Sequence, residues 1–108
     1  MTVDQRIRAA LADICDVIKP NVYTGDATEY IVYNYSEYPL EFADNAPQSI
    51  GYSVQVHYFC PLNKNPNAIK DDIQNSLFTA GFSYPSIQDV TDEEGQHYVF
   101  QCTYEEVI

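Results

Sequence analysis

Apolar residues recur at helical spacing at the start of the chain, at Ile7, Leu11, Ile14 and Ile18, with Ala10 and Cys15 beside them. Ahead of them, Thr2-Val3-Asp4-Gln5 has the form of a capping box, and Asp4 sits in the first turn where the helix dipole favours it. Lys19-Pro20 closes the pattern, because the residue before proline is pushed out of the helical region. This spacing predicts a first helix over Val3–Ile18. Val22-Tyr23-Thr24 then predicts a short extra strand, ended by the turn signal Gly25-Asp26. Glu29 to Ser36 is aromatic and β-branched, with Ile31, Tyr33 and Tyr35 alternating against Tyr30, Val32 and Asn34. That stretch reads as a strand whose Asn34 side faces out.

The segment from Glu37 to Ser49 holds two prolines and shows neither period, so it reads as a long loop, well beyond the median connection of about 4–6 residues. Alternation resumes from Gly51 to Cys60, where Tyr52, Val54, Val56, Tyr58 and Cys60 share the core side and Ser53, Gln55, His57 and Phe59 the other. Asn65-Pro66 pairs an N-cap residue with the preferred first helical residue; Ile69, Ile73, Leu77 and Ala80 then align on one face. Gly81 stands where a left-handed residue ends a helix, and Phe82 where the hydrophobic closure follows. A second helix over Pro66–Ala80 results. A strand near Ser86–Thr91, a turn at Asp92-Glu93-Glu94-Gly95 with glycine supplying positive φ, and a strand over Gln96–Glu105 complete the chain. Tyr98, Phe100, Cys102 and Tyr104 take the core side of the last strand. The expected fold is a single α+β domain over 1–108, an antiparallel sheet with both helices on one face, in the order α-β-β-α-β-β.

Charge changes the picture more than hydropathy does. The 108 residues carry 5 Lys+Arg against 16 Asp+Glu, a net charge of −11, and no Lys or Arg follows Lys70. Such a surface repels phosphate backbones and anionic lipid, so specific nucleic-acid or membrane binding is not expected. No apolar run reaches the roughly 20 residues needed to span a bilayer. The start of the chain opens directly into the helical pattern, so no signal peptide is expected. Cys15, Cys60 and Cys102 are an odd set without a C-x-x-C pair and read as reduced thiols packed in the interior.

Candidate chemistry is sparse. His57, Cys60, His97 and Cys102 are zinc-ligand types, but His57 and Cys60 lie three apart and His97 and Cys102 five apart, so each pair points to opposite faces of its strand. The two histidines could still meet across neighbouring strands, which by itself supplies too few ligands. No cysteine has a histidine on its own face or a helix N-terminus to activate it. The carboxylate pairs Asp71-Asp72, Glu93-Glu94 and Glu105-Glu106 fall where solvent is expected. No Walker loop, dinucleotide turn or G-x-S-x-G is present. The expectation is therefore no enzyme, no cofactor and no metal. Ten tyrosines, mostly in or beside strands, suit an interface as well as a half-exposed sheet.

The segments Glu29-Tyr-Ile-Val-Tyr-Asn-Tyr-Ser-Glu37, Tyr52-Ser-Val-Gln-Val-His-Tyr-Phe-Cys-Pro61, Ala80-Gly-Phe-Ser-Tyr-Pro-Ser-Ile87 and Gly95-Gln-His-Tyr-Val-Phe-Gln-Cys-Thr-Tyr-Glu105 resemble small morphogenesis proteins of tailed phages and prophages. In the order of its elements the chain resembles the tail terminator, or tail completion and head–tail joining, proteins. The resemblance implies a virion structural protein, assembled in the host cytoplasm, that forms a ring, usually hexameric. Such a ring caps the tail tube and meets the head connector; head-closure and minor capsid proteins of similar size are alternatives. No catalytic residue comes with the resemblance. The long acidic segment, with Glu37, Tyr38, Leu40, Glu41, Phe42 and Asp44, is the candidate subunit interface or lumen lining, since an acidic channel keeps DNA from adhering as it passes. A reading from a different class, a small acidic inhibitor or DNA mimic binding a basic host protein, explains the charge equally well.

Overall fold

The computed structural model describes residues 1–43 and 46–107. Its elements in chain order are α1 (Val3–Leu11), β1 (Ile18–Pro20), β2 (Tyr30–Ala43), β3 (Ala46–Cys60), α2 (Asn67–Thr79), β4 (Ser86–Asp89) and β5 (Gln96–Val107). The strands form one sheet in the order β1-β2-β3-β5-β4. The α+β class holds, but the sheet is mixed: β1 runs parallel to β2, and the remaining pairs are antiparallel.

One face of the sheet is covered by both helices. Ile31, Tyr33, Val54, Val56, Tyr58, Phe100 and Cys102 meet Val3, Ile7 and Leu11 of α1 and Ile73 and Leu77 of α2 in a single core. The alternation of β3 and β5 places these side chains as the sequence predicts. In α1 the capping box is complete: Thr2 Oγ1 accepts from the Gln5 N–H, and Gln5 Oε1 accepts from the Thr2 N–H. At the end of α2 the Phe82 N–H donates to the Leu77 carbonyl and the Gly81 N–H to the Phe78 carbonyl, with Gly81 at φ 105° and Phe82 buried. At the other end the expected cap is displaced by one residue: Pro66, not Asn65, is the N-cap, its carbonyl accepting from the Lys70 N–H, and Asn65 Oδ1 accepts from the Asn67 N–H from just outside the helix.

Four further expectations are corrected. The first helix stops at Leu11, not Ile18: the Cys15 N–H still returns to the Leu11 carbonyl, but the chain then leaves the helix and Ile18 pairs with Ile31. Ile14 and Ile18 pack on the core all the same, so helical spacing signalled their burial and not their geometry. The extra strand is Ile18–Pro20 rather than Val22–Thr24, because Asn21 takes the left-handed conformation (φ 66°) and breaks the extended run. Gly95 does not adopt positive φ; Asp92 Oδ1 accepts from the Glu94 N–H to form the turn, and Gly95 instead gives room to the Cys60 carbonyl, which a Cβ would approach to 3.3 Å.

The fourth correction matters most. Residues 37–43 and 46–49 are not a loop but the outer part of the paired strands β2 and β3, in register through Leu40↔Ser49 and Phe42↔Pro47 to Ala43↔Ala46, while residues 44 and 45 of that expectation lie outside the described residues. Pro39 is compatible with this ladder for a reason visible in β2. The Ile31 N–H bonds Val17 and the Tyr33 carbonyl bonds Asn21, so odd-numbered residues of β2 turn their polar groups away from β3. Pro39 shares that parity, and its missing N–H falls on the outer edge, where the β2–β3 ladder does not need it.

The hairpin gives the molecule its shape. Extents of 55 × 26 × 23 Å and a radius of gyration of 15.1 Å exceed the value of about 13 Å typical of a compact domain near 100 residues. The large buried apolar side chains end at Tyr33 in β2 and at Tyr52 in β3, with Ile50 packed against them and Gly51 and Ser49 buried just beyond. Beyond them β2, β3 and the end of β5 continue as a projecting arm.

Candidate interaction surface

The arm carries the residues singled out by composition. Glu37 is exposed and pairs with Tyr52; Tyr35 is 41% and Tyr38 39% exposed. The Tyr38 ring lies across Gly51, where a Cβ would fall 2.3 Å from Tyr38 Cε2, so only glycine admits this ring position. Leu40 is half-buried opposite Ser49, whose hydroxyl donates to Glu105 Oε1 at 3.1 Å. The backbones of Glu41 and Phe42 belong to β2, but their side chains, and Asp44 altogether, lie outside the described residues. From Tyr35 to Ser53 the sequence has Glu37, Glu41 and Asp44 and no base, and β5 adds Glu105 and Glu106. This acidity reaches Tyr52, whose hydroxyl pKa is raised by burial first and then by Glu106 and Glu37.

All five cations lie in the body, and four contact a ring or a carboxylate. Arg8 Nε lies 3.3 Å from Asp4 Oδ2 and donates to the Tyr33 hydroxyl at 2.8 Å, and that hydroxyl donates to Asp4. Burial, followed by Asp4, pushes the Tyr33 pKa up to about 12. Lys64 Nζ meets Glu29 at 2.5 Å, and the buried Tyr58 hydroxyl donates to the same carboxylate. Lys70 lies 4.3 Å from the Tyr98 ring centroid. Arg6 places its guanidinium 4.8 Å from the Tyr104 ring centroid, and its Nε is buried with no hydrogen-bond partner among the described residues. It lines an open groove of about 440 Å³ between α1 and α2, whose walls are mostly small, Ala9, Ala10, Ser76, Thr79 and Ala80, together with Asn75 and Met1.

The sheet face opposite the helices bears a row of rings. Tyr23 meets Tyr30 at 4.7 Å between centroids, Tyr30 stacks on Phe59 at 4.6 Å, and Phe59 stacks on His97 at 4.1 Å. His57 Nδ1 and His97 Nε2 are 2.8 Å apart, so one imidazole donates its N–H to the other. Both pKa values are lowered by burial, and that of His97 further by His57, against an opposing pull from Asp92. The histidines thus do meet across strands. Cys60 and Cys102 point into the core on the other face, as strand parity requires, and burial raises both thiols, Cys102 to about 12. Among the described residues no group of three or more His, Cys, Asp and Glu side chains converges on a point. Among the described residues no helix is long and apolar enough to cross a membrane.

Sequence reasoning marked the arm by its acidity and allowed that His57 and His97 meet across neighbouring strands, but it missed the Arg6 groove. The imidazole pair required the β3–β5 register, which sets Phe59 opposite His97 and His57 opposite Val99. The Arg6 groove required the packing of α1 on α2; its trace in the sequence is an arginine followed by Ala9-Ala10 on a helix otherwise striped with Val3, Ile7 and Leu11.

No family model and no curated protein matches the chain. Among solved structures, one chain known only by a sequence designation is similar over 100% of this chain and 97% of its own, at a TM-score of 0.59 and 10% identity. At that identity the likeness concerns the fold alone.

Proposed function

We propose that this protein is a structural subunit that assembles into a closed homo-oligomeric ring, of the tail-terminator kind, seated between a tail tube and a head connector. The observation that supports this best is the arm. A hairpin that runs past its own core, with Tyr35, Glu37 and Tyr38 exposed, serves a subunit that must reach a neighbour. Its outer edge carries backbone N–H and C=O groups beyond the three residues that β1 pairs. A head-to-tail contact made by such an arm generates a ring when the rotation closes. The absence of bases from the arm suits a ring whose lumen passes DNA, because like charge keeps the polymer from binding the wall. The rigid, helix-covered body provides the platform, and its chemistry is that of contact rather than turnover.

The test is assembly. Sedimentation velocity of the purified chain over a concentration and salt series, with electron microscopy of the largest species, is expected to reveal rings of one size. Isolated tail tubes are expected to bind the protein at one end only. A chain that stays monomeric throughout and ignores tube ends overturns the ring and favours the acidic inhibitor, for which pull-down of a basic host protein is the matching assay.

A further inference from the structure

Two unsatisfied features of this molecule complement each other. The arm is a projecting, wholly acidic hairpin with exposed tyrosines. The α1–α2 groove has mostly small walls, and its one charged residue is a cation, Arg6, whose Nε is buried without a partner among the described residues. A buried guanidinium donor left without an acceptor is costly, and a carboxylate is its strongest partner. Within one chain the carboxylates Glu37 and Glu106 face the first turn of α1 beside Met1, Thr2 and Gln5, and no described acceptor reaches Arg6 Nε. We infer that the α1–α2 groove is the receptor for the arm of a second copy of this chain, an arm carboxylate meeting Arg6.

This deepens the ring reading and rests on it. Ala9, Ala10, Ser76 and Thr79 leave the helix surfaces low enough for a hairpin edge to lie between them, and Tyr35 and Tyr38 are exposed aromatics of the arm that such a surface can cover. Arm and groove are different patches, so the contact is heterologous: each copy gives an arm and receives one, as a ring requires. Charge selects this pairing over arm against arm, which sets carboxylates against carboxylates. It also selects the groove over the far sheet face, whose cavity beside Phe59 is rimmed by Asp92 and Glu94.

The experiment uses three full-length variants and one shortened one, each checked for folding by circular dichroism. Arg6→Gln removes the cation, and Ala9→Glu, at an exposed position, fills the groove with like charge. Glu37→Gln tests one arm carboxylate. In the fourth variant Asn-Gly replaces Tyr38 to Gly51, joining the paired residues Glu37 and Tyr52. Arg6→Gln, Ala9→Glu and the shortened arm are each expected to weaken self-association at least tenfold, and Glu37→Gln to weaken it less or equally. Ala9→Glu keeps its arm and the shortened chain keeps its groove, so their mixture is expected to form a 1:1 dimer and nothing larger. If the wild type forms rings and folded Ala9→Glu and Arg6→Gln form them equally well, the groove assignment is overturned while the ring survives. A mixture that stays monomeric also overturns it. If the wild type never associates, the ring and the groove fall together.

Discussion

At the scale of single residues, buried polar groups decide what can be changed. Gln96 is buried, and its Nε2 donates to the carbonyls of Pro61 at 2.8 Å and Lys64 at 2.7 Å while its Oε1 accepts from the Tyr98 hydroxyl at 2.5 Å. Gln96→Leu keeps much of the volume and strands two carbonyls and a hydroxyl, so a loss of roughly 2–4 kcal/mol is expected in urea unfolding. The imidazole pair gives a pH signature. Burial holds both histidines below their ordinary pKa, so the unfolded chain binds more protons than the folded one as pH falls below about 6.5. Their contribution is therefore intact at pH 7.5 and is lost as the pH drops through the lowered folded values. Protonating both also replaces a hydrogen bond with two facing cations, relieved in part by Asp92. Denaturation at pH 7.5 and 5.5 is expected to show a fall in stability that His97→Asn reduces, since most carboxylates remain ionised over that interval. The thiols behave as interior groups: raised by burial, Cys15, Cys60 and Cys102 are expected to react slowly with a thiol reagent at pH 8 in the fold and fully in denaturant.

Elements with self-contained signals were legible in the sequence, and those that depend on a neighbouring strand were not. Helix α2 announces its end through Gly81-Phe82, and the structure closes it with the bonds that pattern implies. Gly81→Ala forces a Cβ into positive φ and to 3.3 Å from the Tyr104 ring, and is expected to cost about 1–2 kcal/mol, read as a lowered melting temperature. Thr2→Ala breaks the capping box of α1 at about 1 kcal/mol. The end of α1 was hidden because Ile14 and Ile18 are needed by the core whether they arrive on a helix or through a strand. The arm was hidden for a related reason. Proline usually argues against a strand, and only the direction in which odd-numbered residues of β2 turn their polar groups makes Pro39 harmless; that direction is fixed by the pairing of Ile31 and Tyr33 with the chain around β1, a contact between segments more than ten residues apart. The candidate site was thus found by composition and misjudged in form: Glu37, Tyr38 and Leu40 lie in a paired strand instead of a loop.

For the whole molecule the governing quantity is −11, and its effect on assembly depends on distance. Closing a ring brings like-charged subunits together, and their mutual repulsion acts over the spacing of their centres. At 0.01 M salt the screening length is about 30 Å, comparable with the 26 and 23 Å widths of this molecule, so each subunit repels its neighbours as a whole. At 0.15 M it is about 8 Å, and only groups at the contact itself interact. An Arg6–carboxylate pair in the groove acts at hydrogen-bond distance in a partly buried setting, where salt screens it far less. The two contributions therefore separate on a salt axis. Association is expected to strengthen from 0.01 to 0.15 M as the long-range repulsion is removed, then to level off because the short-range pair persists. Replacing Glu37, Glu41 and Asp44 together with their amides is expected to flatten the rise below 0.15 M and also to lower the plateau, since the same residues repel at long range and bind at short range. Sedimentation equilibrium of wild type and triple variant across that series reads both effects. A wild-type association that weakens steadily with salt contradicts the dominance of subunit repulsion and places attractive charge pairs in control of assembly.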